Sequence, residues 1–126
     1  MAYDAKRQVV VMFGGVGAQR AILNDTWEWT GRQWEQVATA TAPSPRFDTN
    51  MAYDPAGGRV ILFGGYAPPA NTGDTWAYDG QAWARIDTAG PSARNGHSMA
   101  YDPRMKAILL FGGRSAPAYF NDRSVC

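Results

Sequence analysis

Cysteine is almost missing from this chain: Cys126 is the only one, and it is the last of 126 residues. An intramolecular disulfide is excluded, and cysteine usage fixes no redox compartment. Histidine is equally scarce, with His97 alone. A zinc or copper site of the usual kind needs several His, Cys or carboxylate ligands, so no metal and no cofactor is expected. Charge is sparse and balanced: 12 Lys and Arg stand against 11 Asp and Glu, a net +1, with no block of either sign. That argues against a nucleic-acid or anionic-membrane binder. No apolar run exceeds the five residues of Val9–Phe13 and 107–111, far short of a bilayer span. Met1 to Arg7 contain no apolar core of a signal peptide. No window shows sustained helical periodicity. Phosphate-loop, nucleophile-elbow and paired-carboxylate patterns are absent, so no residue is assigned as catalytic.

What is abundant is glycine, proline and aromatic surface: 14 Gly, 8 Pro, and 5 Trp, 6 Tyr and 5 Phe. With 45% hydrophobic residues, this is the composition of one globular domain of short strands joined by tight turns. The strands repeat. Met-Ala-Tyr-Asp starts at Met1, Met51 and Met99, and each copy runs into Phe-Gly-Gly at Phe13, Phe63 and Phe111. Seven of the 15 positions from Met to the second Gly are identical in all three copies. Asp25-Thr26-Trp27 matches Asp74-Thr75-Trp76, and the third copy keeps Asn121-Asp122. Trp29 to Trp34 matches Tyr78 to Trp83, with turns at Thr30-Gly31 and Asp79-Gly80. Pro43-Ser44-Pro45-Arg46 matches Pro91-Ser92-Ala93-Arg94.

Each unit reads as four strands. The first ends near Met-Ala-Tyr-Asp, and Asp-led turns follow. The second is the apolar run, expected at Val9–Phe13, Val60–Phe63 and Ile108–Phe111. The Gly-Gly pair ends it. The third alternates around Trp27 and Trp76, and the fourth carries Trp34 or Trp83. A four-stranded unit at a spacing of 50 and then 48 residues is a propeller blade. The order Phe-Gly-Gly, Asp-x-Trp-x-Tyr/Trp, Gly-x-x-Trp, Pro-x-x-Arg resembles the kelch repeat of the galactose-oxidase-like propellers. The fold expected is all-β, an incomplete kelch-type ring over 1–126, with blades at 1–50 and 51–98 and a half-repeat at 99–126.

Most of the repeated residues read as structural. Trp27, Trp34, Trp76, Trp83 and Tyr78 are expected to pack between blades. Gly14, Gly15, Gly64, Gly65, Gly112 and Gly113 are expected to serve backbone geometry. Asp25, Asp74 and Asp122 are expected to tie loops to backbone. Arg46 and Arg94 bridge loops or blades in one reading. In the other they face the channel mouth, where the resemblance implies contact with acidic ligands. Asn95 and His97 belong to the same loop. The units differ most after Gly-Gly, where Arg20, Tyr66, Arg114 and Tyr119 mix charge and aromatic surface. These eight residues form the candidate binding set.

The resemblance implies a non-catalytic module that recognises protein or glycan through its loops. The alternative is part of a carbohydrate-active enzyme, epimerase-like or oxidase-like, with Arg46, Arg94 and His97 facing the channel. Galactose-oxidase copper chemistry does not carry over, because the histidine pair and the Tyr–Cys crosslink have no counterparts here. Both ends fall inside a unit. Blades of a larger propeller are favoured over copies that self-associate to close a ring. The style of repeat resembles bacterial kelch-type proteins, which are often exported, and the location stays open.

Overall fold

The computed structural model describes residues 1–86 and 89–126. The first sheet contains β1 (Ala2–Asp4), β2 (Val9–Val16), β3 (Ile22–Trp29) and β4 (Trp34–Val37) in that spatial order. The second contains β5 (Asn50–Asp54), β6 (Arg59–Phe63), β9 (Thr75–Tyr78) and β10 (Trp83–Ile86), and the third β11 (Ser98–Asp102), β12 (Ala107–Phe111) and β15 (Arg123–Val125). Every pairing is antiparallel. Two short hairpins rise after the glycine pairs: β7 (Tyr66–Ala67) with β8 (Ala70–Asn71), and β13 (Arg114–Ser115) with β14 (Ala118–Tyr119). This is the expected all-β set of blades, with the first strands β1, β5 and β11 lying side by side.

The turns follow from their aspartates. Oδ1 of Asp4 accepts from the backbone N–H of Lys6 and Arg7, and Oδ1 of Asp102 from those of Arg104 and Met105. Asp79 does the same in the β9–β10 hairpin. Each side chain thus supplies the acceptor that a tight turn leaves missing.

The sheets pack face to face through two apolar seams. Val11 and Phe13 of the first sheet meet Met51, Val60, Leu62, Tyr78 and Trp83 of the second. Ala52, Ile61 and Ala77 of the second meet Ile108, with Ile86, Met99, Tyr101 and Cys126 around them. β6 is buried along most of its length because it has a sheet on each side.

Two expectations are corrected. The first Gly-Gly pair does not end its strand. β2 runs on to Val16 through a bulge between Phe13 and Gly15, and Val16 pairs with Ile22 across a 3-10 turn at Ala18–Arg20. In the other sheets the residue after Gly-Gly bridges the preceding loop instead, Tyr66 to Phe47 and Arg114 to Asn95, so the strands stop at Phe63 and Phe111. The second correction is Trp34, which is not packed between blades. It lies 5.7 Å from Trp29 but stays 40% exposed, because no sheet lies against that side of β4 in this structure.

Candidate functional site

The end of the blades opposite the aspartate turns is built from the glycine-pair loops and the Pro-x-x-Arg segments. Each segment acts as a strap. The Arg46 backbone lies in the first sheet's loop: Gly15 N–H donates to its carbonyl at 2.9 Å, and its N–H donates to Leu23 O at 3.1 Å. Its side chain enters the second sheet. Nη1 donates to Asp74 Oδ1 at 2.6 Å and to Gly64 O at 3.0 Å, and Nη2 donates to Asp74 Oδ2 at 2.9 Å. Ser44 and Thr72 accept the remaining bonds. Arg94 repeats the geometry one blade on. Gly65 N–H donates to its carbonyl, its N–H donates to Thr72 O, and its guanidinium donates to Gly112 O and both oxygens of Asp122.

Both arginines are 1% exposed. A buried guanidinium persists only when its donors are satisfied, and here they bind two loops and a carboxylate bidentately. The Arg94 guanidinium also lies 4.0 Å from the centre of the Phe120 ring. Burial alone would raise the Asp74 carboxyl, but the Arg46 guanidinium and the Trp76 N–H outweigh it and hold it at about 2. Arg94 likewise holds Asp122 below the usual carboxylate range. Neither guanidinium keeps a free face for a ligand.

Above the straps, Phe47, Tyr66, Asn71, Asn95, Arg114 and Ala116 line an open groove of about 330 Å³. Phe47 and Tyr66 meet edge to face at 5.4 Å. Arg114 Nε donates to Asn95 Oδ1 at 3.3 Å, and Asn71 Nδ2 donates to Arg114 O at 3.3 Å. The four terminal N–H donors of Arg114 have no partner among the described residues. Tyr119 stands opposite Arg114 across β13–β14 and is 80% exposed. Of the eight expected residues, Tyr66, Asn95 and Arg114 line one groove, with Tyr119 beside it. Arg20 is exposed on the 3-10 turn of the first sheet and takes no part in it. Phe47 and Asn71 were missed, although each lies where the units differ, Phe47 standing where the next unit has Asn95.

The sequence matches the KLHDC2/KLHL20/DRC7 Kelch-repeats domain over residues 1–126. The chain belongs to the Kelch-repeat family. Comparison with curated proteins returned no match. A Kelch-repeat domain is in general a protein-interaction module, and this Kelch chain has that class of function. No helix among the described residues is long and apolar enough to cross a membrane.

His97 lies within the seam of the Kelch blades, 4% exposed and edge-on to Phe63 at 5.4 Å. Neither ring nitrogen makes a well-formed hydrogen bond. Burial pushes the imidazole down to about 4, the Phe63 carbonyl pulls the other way, and Arg94 adds to the push. The neutral ring therefore acts as a packing group. Among the described residues, no three His, Cys, Asp or Glu side chains converge to hold a metal ion. The tryptophans divide between two tasks. Trp27 and Trp76 donate to Asp25 and Asp74 within their own blades. Trp83 crosses a seam, stacks on Tyr78 and donates to Thr26 Oγ1 at 2.9 Å.

Proposed function

We propose that the chain binds a partner polypeptide at its loop end, through the groove of Tyr66, Asn71 and Arg114 with Tyr119 at its rim. The observation that carries this reading is the contrast between two sets of arginines. Arg46 and Arg94 spend every donor inside the scaffold, whereas Arg114 presents four donors with no partner among the described residues, beside aromatic rings. Arginine with tyrosine is the composition that concentrates binding energy at interfaces. Carbonyl and carboxylate oxygens of an extended segment would meet the guanidinium, and apolar side chains would meet Tyr66 and Phe47.

The test is a selection of displayed peptides against the chain, followed by titration of the selected ligands. Arg114→Ala and Tyr66→Ala should each weaken them by about tenfold, the equivalent of about 1.4 kcal/mol. The unfolding midpoint should not move. Arg32→Ala, on an exposed turn at the opposite end, serves as the control. Ligands that bind Arg114→Ala and Tyr66→Ala as tightly as the parent overturn the reading. A glycan array run beside the selection asks whether sugars compete for the same groove.

A further inference from the structure

The loop that carries the chain's only histidine also holds the groove's arginine. Asn95 N–H donates to Arg114 O at 3.0 Å, and Arg114 N–H donates to Asn95 O at 2.9 Å. One residue on, Gly96 N–H donates to Asp48 O at 2.9 Å. His97 follows, and its carbonyl accepts from Asn50 Nδ2 at 3.1 Å. Residues 95–97 therefore form a short tether. Backbone bonds at one end hold Arg114, and an imidazole at the other is wedged into the seam. The wedge is tight: a Cβ built on Gly64 would lie 3.2 Å from His97 Cε1, and one on Gly113 would lie 3.0 Å from His97 Cβ.

The preceding unit makes the same bridge, Phe47 with Tyr66, but has Thr49 at the position of the imidazole. The Thr49 hydroxyl donates to Phe63 O at 2.9 Å and carries no charge. The second bridge is thus tied to a proton and the first is not. A proton on His97 would meet a like charge. The charged group acting on the ring is the Arg94 guanidinium of the strap, itself pinned to Asp122. β5 and β6 bring neutral Asn50 and Phe63, the glycine pairs bring Gly64 and Gly113, and Asp48 meets the tether through its carbonyl. A buried imidazolium in that setting is costly, and water relieves it. Gly96 gives the tether a way out: its φ is 64°, and a Cβ there would meet nothing within 4 Å.

We propose that the 95–97 tether is an acid-triggered latch. Protonation draws the imidazole out of the seam into water, breaks the bridge of Asn95 and Arg114, and frees Arg114 from the groove while the blades stay folded. Discharge of a bound partner follows from that release, a consequence that rests on the reading under Proposed function.

Amide hydrogen exchange of the whole chain, corrected for the pH dependence of the exchange chemistry, reads the latch without a ligand. The ring is held at about 4 in the seam and returns to its ordinary 6.5 in water. The open fraction of the Asn95, Gly96 and Arg114 amides should therefore rise about 30-fold from about pH 7.5 to about pH 5. Their opening should cost less free energy than that of the β6 amides and should not respond to low urea, as local openings do not. The Phe47 and Tyr66 amides, in the same molecule, should keep a constant local opening. In His97→Gln the second bridge should stay as level as the first. Equal change in both bridges, no change in either, or Asn95 and Arg114 amides that exchange only together with β6 overturns the proposal. The comparison of the two bridges needs no variant to fold. Peptides selected against the groove should lose more affinity for the parent than for His97→Gln at about pH 5, and equal loss overturns partner release by this latch. A selection that yields no ligand counts against the proposed function alone, because the exchange result stands without one.

Discussion

Replacing Arg46 with Met tests whether the strap arginine holds two blades together. Methionine keeps a long, flexible apolar stem and removes the charge and all the donors. The parent guanidinium bonds Ser44, Gly64, Thr72 and both oxygens of Asp74, and is 1% exposed. Without it, Asp74 keeps the Trp76 N–H, at 2.7 Å, and Gly64 O loses its charged donor. Breaking a buried pair from one side costs about 3–5 kcal/mol. The Asp74 side chain is 14% exposed and regains some water, so the expected loss is at the lower end, about 3 kcal/mol. Arg94→Met should cost less, because its partner Asp122 is 47% exposed and stays hydrated when orphaned. The assay is urea unfolding followed by tryptophan fluorescence, with the slope checked for constancy. A double-mutant cycle with Asp74→Asn isolates the pair and should give a coupling of about 2 kcal/mol. A coupling near zero, or an equal loss for Arg46→Met and Arg94→Met, would refute the reasoning.

The remaining predictions concern pH and the seam. The His97 imidazole is held at about 4, below its ordinary 6.5, so the folded state binds fewer protons between those limits. Stability should therefore be full above pH 6.5 and fall as pH drops toward about 4, a slope that His97→Gln should flatten in unfolding curves across that range. Asp74, held at about 2 against 3.8, favours the fold above its unfolded value and loses that stability as pH falls further, through about 2. Asp74→Asn should shrink that second slope, leaving the part that Asp122, also held low by Arg94, contributes. Trp83→Phe deletes a seam hydrogen bond and ring area and should cost about 2–3 kcal/mol in urea unfolding. Trp34→Phe at the matching place in the first unit should stay within about 0.5 kcal/mol, because the ring has no neighbouring sheet to pack against.

The same pair of tryptophans shows what a sequence of repeats discloses. Trp34 and Trp83 occupy one motif position, and the strand each sits in was legible from spacing alone. Their burial was not, because it depends on a neighbouring blade that the motif does not encode. Arg46 and Arg94 make the converse case. Their recurrence marked them, but arginine is a surface residue by composition, and its partner lies 28 positions ahead in the next unit. Only packing of one sheet on the next brings Asp74 and Asp122 under the guanidinium. The end of β2 was misjudged because local turn chemistry was read without the strap that competes for the residue after Gly-Gly. The binding groove was half legible. Tyr66, Asn95 and Arg114 lay in the loops singled out, whereas Phe47 and Asn71 joined through cross-loop pairing that no local pattern shows.

The straps also carry a consequence for how the molecule comes apart. Each strap is backbone to one blade and side chain to the next, so no blade owns all of its own polar contacts. If the second sheet opened alone, Arg46 would lose Asp74, and Asp122 would lose Arg94. Seam energy of that kind disfavours every state with a boundary between folded and unfolded units. Opening one blade then exposes unpaired charge in both neighbours, and partially melted forms stay rare. Hydrogen exchange should report this as amides of β6 and β12 opening at one common free energy, not in a gradient from one end of the array to the other.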